Sequence, residues 1–215
     1  MRPLVMLVLL GALPVLADGE PGAQLCSFTG RVVGKTEADT VVGLEPVKGS
    51  PPLPPAQPTR HVMHQRSKTF LPKVLMVRSG DWVEFENDDA DWHSVFSASR
   101  VATFNFPEST KGTSGKWHFM HPGLARIQCN IHSNMRADVF VFGSPYWAKV
   151  DADGTWRIDA PEGAWRVVVN DVNGSRVDQH VSGCVTGLEL QLVQRYPVRP
   201  RTKNGDVPPI YEPSN

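Results

Sequence analysis

The 215-residue sequence predicts an all-β fold, and two observations support that prediction. Short alternating apolar runs recur at roughly ten-residue spacing, and no stretch keeps the helical period of about 3.6 residues. The chain also contains 18 Gly and 19 Pro, about one residue in six, which suits turn-rich β structure. Together these features favour a β-sandwich or barrel over a helical bundle.

The strand-like runs begin in the first half of the chain. Val83 and Phe85 share one face of a run whose other face is acidic, as in a half-buried strand. Residues 46–58 include six prolines, which predicts an extended crossing rather than a sheet strand. The strands predicted here are residues 28–33, 40–44, 74–77, 82–86, 124–129 and 138–142.

From residue 143 the chain carries two strong hairpin signals. These are Asp153-Gly154 and Asn173-Gly174, each flanked by alternating apolar runs. They predict a smaller β-sandwich over residues 143–194. Residues 195–215, with five prolines, are predicted to form a flexible tail.

Charge and hydropathy exclude several classes of protein. The 22 Lys and Arg balance 22 Asp and Glu, so net charge gives no support for a nucleic-acid or anionic-membrane partner. Hydrophobic residues form 40% of the chain, enough to bury a core. No apolar run reaches the ~18 residues of a transmembrane helix. We expect a soluble monomer without a membrane span.

The first residues have the features of a secretory signal peptide, residues 1–17. Arg2 precedes an apolar run from Leu4 to Leu16, and Ala17 provides a small residue before a cleavage point. An uncleaved anchor is the alternative. Cleavage near Ala17 would place the mature protein in the periplasm or another extracytoplasmic space.

The residues that carry chemistry lie between Cys129 and Met135. Cys129, His132 and Met135 follow a C-x2-H-x2-M spacing, and His93 offers a further donor upstream. A thiolate, two imidazoles and a weak thioether are the ligand set of a blue copper site. Cys129 ends a predicted strand, so the loop after it can turn the next two donors towards one point. His93 must come from a neighbouring strand end.

At these residues the sequence resembles the cupredoxin family, the plastocyanin- and amicyanin-like type 1 copper proteins. The C-x2-H-x2-M spacing matches the short amicyanin loop, and Pro122-Gly123 before Cys129 is also similar. The match covers residues 70–142, within a predicted copper domain over residues 24–142. It implies a cupredoxin-like Greek-key β-sandwich.

The resemblance also implies ligands and a function. His93, Cys129 and His132 would be the equatorial ligands of one type 1 copper ion, and Met135 the axial ligand. His132, on the loop, is expected to be the more accessible imidazole. The implied function is one-electron transfer to or from a redox partner protein. No catalytic acid, base or nucleophile can be assembled, so we do not expect an enzyme.

Two serines depart from the family pattern. Ser94 follows the first histidine, where many cupredoxins carry an Asn that braces the copper loop. Ser133 follows the second, where amicyanin-like loops often have Pro. These departures bear on the potential and rigidity of the site.

Other interpretations remain open. Cys and His also suit zinc, although the methionine favours copper. A copper carrier or storage protein, and a structural module with a vestigial site, are the alternative functions. Residues 147–193 resemble a carboxypeptidase regulatory-like β-sandwich in their D-x-D-G-x-W-x-I and P-x-G-x-W-x-V turns.

Two cysteines remain once Cys129 is assigned to the metal. An oxidising compartment favours a disulfide between Cys26 and Cys184, with unpaired thiols as the alternative. The bond would join the start of the mature chain to the second module.

Overall fold

The computed structural model describes residues 25–34 and 39–193. Every regular element in these residues is a β-strand, which confirms the all-β prediction. The sixteen strands form four sheets that pack as two β-sandwiches. No helix that could cross a membrane occurs in the described part of the chain. The predicted signal peptide (1–17) and tail (195–215) lie outside the described residues.

The first sandwich, which we call the central module, consists of nine consecutive strands in two facing sheets. The sheets have the orders β4-β3-β6-β9 and β5-β11-β10-β7-β8. Val83 and Phe85 of one sheet share a buried core with Ala125 and Ile127 of the other, because alternate residues point inward. The strands are β3 (Arg60–Arg66), β4 (Thr69–Leu71), β5 (Val74–Arg78), β6 (Asp81–Asn87), β7 (Val95–Ser99), β8 (Ala102–Asn105), β9 (Gly112–Phe119), β10 (Gly123–Cys129) and β11 (Arg136–Phe142).

The second sandwich, the terminal module, combines strands from both ends of the described chain. Its sheets have the orders β13-β1-β16 and β12-β2-β14-β15, around a core that includes Phe28 and Trp165. The predicted disulfide is confirmed: Cys26 bonds to Cys184, with Cα atoms 5.8 Å apart. The strands are β1 (Leu25–Val33), β2 (Val41–Pro46), β12 (Trp147–Lys149), β13 (Thr155–Pro161), β14 (Ala164–Asn170), β15 (Arg176–Ser182) and β16 (Leu188–Gln191).

The strand pairing differs from the predicted division into residues 24–142 and 143–194. β1 pairs with β13 and β16, and β2 pairs with β12 and β14. Residues 25–46 therefore contribute to the sheets of the terminal module. Apolar periodicity identifies a strand but does not specify a distant partner. The prediction therefore grouped these two strands with the strands that follow them in the chain.

The two predicted hairpin turns have different outcomes. Asn173-Gly174 closes the antiparallel β14–β15 hairpin, as predicted, with Gly174 at φ +79°. Asp153-Gly154 is also a turn, with Gly154 at φ +87°, but it leads into β13, which pairs with β1. Asp153-Gly154 therefore marks a turn that joins strands of two different sheets, and not a hairpin.

The two modules pack through β2 and β11. Val41 of β2 and Phe142 of β11 belong to one buried cluster between them. Gly43 allows this approach, since a Cβ there would lie 2.3 Å from the Phe142 ring. Glu45 accepts hydrogen bonds from the Gly143 N–H at 3.0 and 3.1 Å. The junction therefore holds β11, the strand that follows the candidate metal loop.

Candidate metal centre

Three of the four predicted ligands bring their donor atoms together. Nδ1 of His93 lies 3.1 Å from Nδ1 of His132. Sγ of Cys129 lies 3.9 Å from the first nitrogen and 4.0 Å from the second. The three donors therefore form a nearly isosceles triangle, with both imidazoles presenting Nδ1.

The dimensions of this triangle fit a metal ion. In zinc sites, bonds to histidine nitrogen are about 2.0–2.1 Å and bonds to thiolate sulfur about 2.3 Å, so donors around one ion lie roughly 3–4 Å apart. The three observed separations fall in that range. One thiolate and two imidazoles also form the trigonal set typical of blue copper. The residues present therefore fit a copper ion.

Strand pairing explains why the donors meet. His93 lies in a single antiparallel bridge just before β7. Cys129 is the last residue of β10 and pairs with Val95 near the start of β7. Beyond Cys129 the chain turns, and the Met135 N–H donates to the His132 carbonyl over 3.0 Å. The sheet thus places Cys129 beside His93, and the loop carries His132.

Ser94 and Asn130 join the two ligand-bearing segments. The Ser94 N–H donates to Cys129 Sγ over 3.5 Å, and the Asn130 N–H donates to the Ser94 carbonyl over 3.0 Å. Asn130 Nδ2 also donates to Ser94 Oγ (2.9 Å) and to Asn105 Oδ1 (3.0 Å). An amide side chain therefore braces the loop, but from the residue after Cys129. Asn130 was not predicted from the sequence, because its role depends on contacts with Ser94 and Asn105 that only the fold creates.

The predicted ligands differ in exposure. His93 is fully buried, whereas His132 is partly exposed, so the expectation that His132 is the more accessible imidazole is confirmed. Met135 is 1% exposed and belongs to the same apolar core as Cys129. Its role as an axial ligand stays a prediction.

Asp89 lies behind His93 and was not predicted from the sequence. Its Oδ2 accepts hydrogen bonds from His93 Nε2 (3.0 Å) and the Lys68 N–H (3.0 Å), and its Oδ1 accepts one from the Ser67 N–H (2.7 Å). Partial desolvation raises the pKa of the Asp89 carboxyl, but these hydrogen bonds outweigh it and hold the pKa below its ordinary value. An ionised carboxylate can only accept, so this 3.0 Å contact is a hydrogen bond when His93 carries its proton on Nε2, the tautomer that leaves Nδ1 free for a metal.

A second group of potential ligands, all partly buried, lies on β3, on β6 and just after β6. His64, Glu86 and Asp88 bring donor atoms within 4.8 Å of one another. Arg66 donates to Asp88 over 2.8 Å and lowers the pKa of that carboxyl, and Arg60 lies 3.9 Å from Glu86. Arg60, which also pairs with Glu84, and Arg66 make this group part of a surface ion-pair network.

Comparison with known proteins gives matches to solved structures alone. No protein-family model matches the chain, and no curated protein does. A methionine-to-alanine variant of amicyanin with Cu(I) is 25% identical, with a TM-score of 0.36, over 38% of this chain and 80% of that chain. A reduced tryptophan-to-tyrosine variant is 26% identical, with a TM-score of 0.35, over 37% and 79%. A reduced proline-to-phenylalanine variant is 26% identical, with a TM-score of 0.36, over 38% and 80%.

Proposed function

We propose that this protein is a one-electron carrier with a single type 1 copper ion. His93 and His132, through Nδ1, and Cys129, through Sγ, would hold the ion, and Met135 would add a weak thioether ligand. The observation that supports this most is the convergence of the three stronger donors, with separations of 3.1, 3.9 and 4.0 Å.

The chain's own residues would keep this site rigid and dry. Copper, when bound, supplies the one-electron couple. His93 is fully buried and Cys129 is 5% exposed, so the protein excludes water from one side of the donor triangle. The Ser94 N–H donates to Cys129 Sγ, and Asn130 ties the two segments together. A site held in this way changes little between oxidation states, which favours rapid electron transfer.

The exposed side of the site is where we propose that a redox partner protein docks. His132 is the accessible ligand, and two apolar side chains next to the histidines in sequence are exposed: Trp92 (57%) and Ile131 (42%). Exposed apolar side chains next to candidate ligands in sequence suit a transient partner, which must approach closely and then leave. Electrons would enter and leave through His132.

We also propose that the copper domain is the central module, residues 60–142, and that the terminal module is a separate β-sandwich.

An extracytoplasmic location fits the Cys26–Cys184 disulfide, because such bonds persist in oxidising compartments. The free cysteine of the described chain is the buried Cys129. Cys129 is therefore available to a metal, whereas the other two cysteines form the disulfide.

The visible spectrum of the copper-loaded protein tests the proposal. We expect an intense thiolate-to-copper absorption that disappears on reduction and returns on oxidation, and that is missing in Cys129→Ser. Tight Cu(I) binding without a blue Cu(II) form would favour a carrier or storage protein. Zinc binding without copper binding, or no metal binding, would contradict electron transfer.

A further inference from the structure

Asp89 connects the candidate ligand His93 to a constrained turn. Ser67 and Lys68 form the two-residue loop between β3 and β4, and both have left-handed backbones, at φ +52° and +55°. Residues other than glycine rarely adopt this conformation. Their N–H groups both donate to Asp89, which also accepts from His93 Nε2. One carboxylate therefore holds a hairpin turn and an imidazole at once.

This arrangement has a chemical consequence for His93. A carboxylate hydrogen-bonded to the distal nitrogen of a metal-binding imidazole fixes its tautomer and makes the other nitrogen a stronger donor. Asp89 is only 15% exposed at its side chain and His93 is fully buried, so water competes little for this bond. The negative charge near the site also stabilises the more highly charged Cu(II) relative to Cu(I).

We propose that Asp89 is a positioning residue that orients His93, fixes its Nε2–H tautomer and favours Cu(II). The proposal rests on the proposed role of His93 as a copper ligand. The β3–β4 turn is part of the same device, because the Ser67 and Lys68 N–H groups orient the Asp89 carboxylate. On the opposite edge of the His93 ring, Nδ1 faces Nδ1 of His132 at 3.1 Å, so the bond to Asp89 leaves Nδ1 directed at the other donors.

The competing explanation is that Asp89 only stabilises the turn. The double substitution Ser67→Asn/Lys68→Gly separates the two roles, because Asn-Gly adopts the left-handed turn without help from a side chain. In this background Asp89→Asn keeps the hairpin and removes the charge. Asp88→Asn is the matched control: it removes the same charge one residue away, and Asp88 contacts Arg66 and His64, not His93.

The first measurement uses the metal-free protein. Nitrogen-15 NMR of the imidazoles should assign His93 as the Nε2–H tautomer in the unsubstituted protein and in Asp88→Asn. Asp89→Asn should change the tautomer equilibrium of the His93 imidazole or broaden its nitrogen signals. An Nδ1–H tautomer in the unsubstituted protein would overturn the proposal, whether or not copper binds.

The second measurement compares copper affinities in the Ser67→Asn/Lys68→Gly background. Asp89→Asn should weaken metal binding about 10–100-fold and weaken Cu(II) more than Cu(I). Each tenfold difference between the two oxidation states raises the one-electron potential by about 59 mV. Equal affinities and potentials for Asp89→Asn and Asp88→Asn would overturn the proposal. If the unsubstituted protein binds no copper, the proposed function fails and the NMR result alone decides the role of Asp89.

Discussion

The two histidines of the candidate centre are held in different ways. His93 is fully buried, its backbone exchanges hydrogen bonds of 3.0 and 2.9 Å with Ser109, and Asp89 holds its Nε2. His132 lies on the β10–β11 loop and is partly exposed. Within the described chain, its side-chain hydrogen-bond contacts are with His93 and Cys129. One imidazole is thus fixed by the sandwich, whereas the other is held mainly by its fellow donors and any ion they share.

The largest expected difference concerns access to the site. His132→Gly and His93→Gly should both abolish the blue absorption. Added imidazole at millimolar concentration should restore it in His132→Gly, because the vacated position is open to solvent. It should not restore it in His93→Gly, whose vacated position is sealed from solvent. Titration followed by visible absorption measures both, and equal recovery in the two variants would contradict the comparison.

The same comparison predicts different stabilities for the metal-free variants. His93→Ala opens a cavity and removes one of the two hydrogen bonds to Asp89 Oδ2, so we expect a loss of about 3–4 kcal/mol in the free energy of unfolding. His132→Ala, at a partly exposed loop position, should lose less than about 1 kcal/mol. Urea unfolding of both proteins is the measurement. Losses within error of each other would mean that His93 is not part of the rigid core.

These free energies of unfolding must be compared at one pH, because the pKa of Asp138 on β11 is shifted in the folded protein. Burial raises its pKa to about 6, although Arg126, its partner on β10, lowers it, as Arg136 does more weakly. Asp39 and Asp171 add to the increase. The folded protein therefore holds this proton more tightly than the unfolded chain, and the free energy of unfolding falls as pH rises from about 4 to about 6.

Replacing Asp138 by Asn should remove that pH dependence. A shift from 3.8 to about 6 corresponds to at most about 3 kcal/mol. Asp138→Asn should thus gain stability over the unsubstituted protein by up to that amount at pH 7 and match it near pH 4. Chemical unfolding of both proteins at the two pH values provides the test. A constant difference at both would show that the carboxyl does not titrate in this range.

The smallest expected change is at Met135. Met135→Leu preserves volume in the core, so it should cost less than about 1.5 kcal/mol. The blue absorption should persist, and the reduction potential should rise, because a weak thioether donor is lost. Visible absorption and voltammetry measure the two effects. A colourless Met135→Leu protein would require the thioether to be a strong ligand.

The donor residues of the candidate centre could be predicted from the sequence, but the residues that hold them in place could not. Cys129 and His132 are close in the chain, so their spacing alone brings them together. His93 was predicted because it precedes the C-x2-H-x2-M motif in the order that the cupredoxin resemblance implies. Asp89 and Asn130 could not be singled out, because their roles depend on side-chain hydrogen bonds and on the left-handed turn before β4.

For the fold, too, the local features could be predicted from the sequence and the long-range strand pairing could not. Alternating runs predicted strands such as β6, β10 and β11 at nearly their observed positions. The placement of β1 and β2 was not predictable, because β1 pairs in parallel with β16 and β2 pairs with β14 across the whole central module. Local periodicity carries no information about such partners.

X-ray absorption at the copper edge is the most direct test of the central claim that His93, Cys129 and His132 share one copper ion. We predict one sulfur neighbour at about 2.3 Å or slightly less and two imidazole nitrogens at about 2.0–2.1 Å. The sulfur neighbour at that distance should be lost in Cys129→Ser. A copper ion with no short sulfur neighbour in the unsubstituted protein would contradict the account.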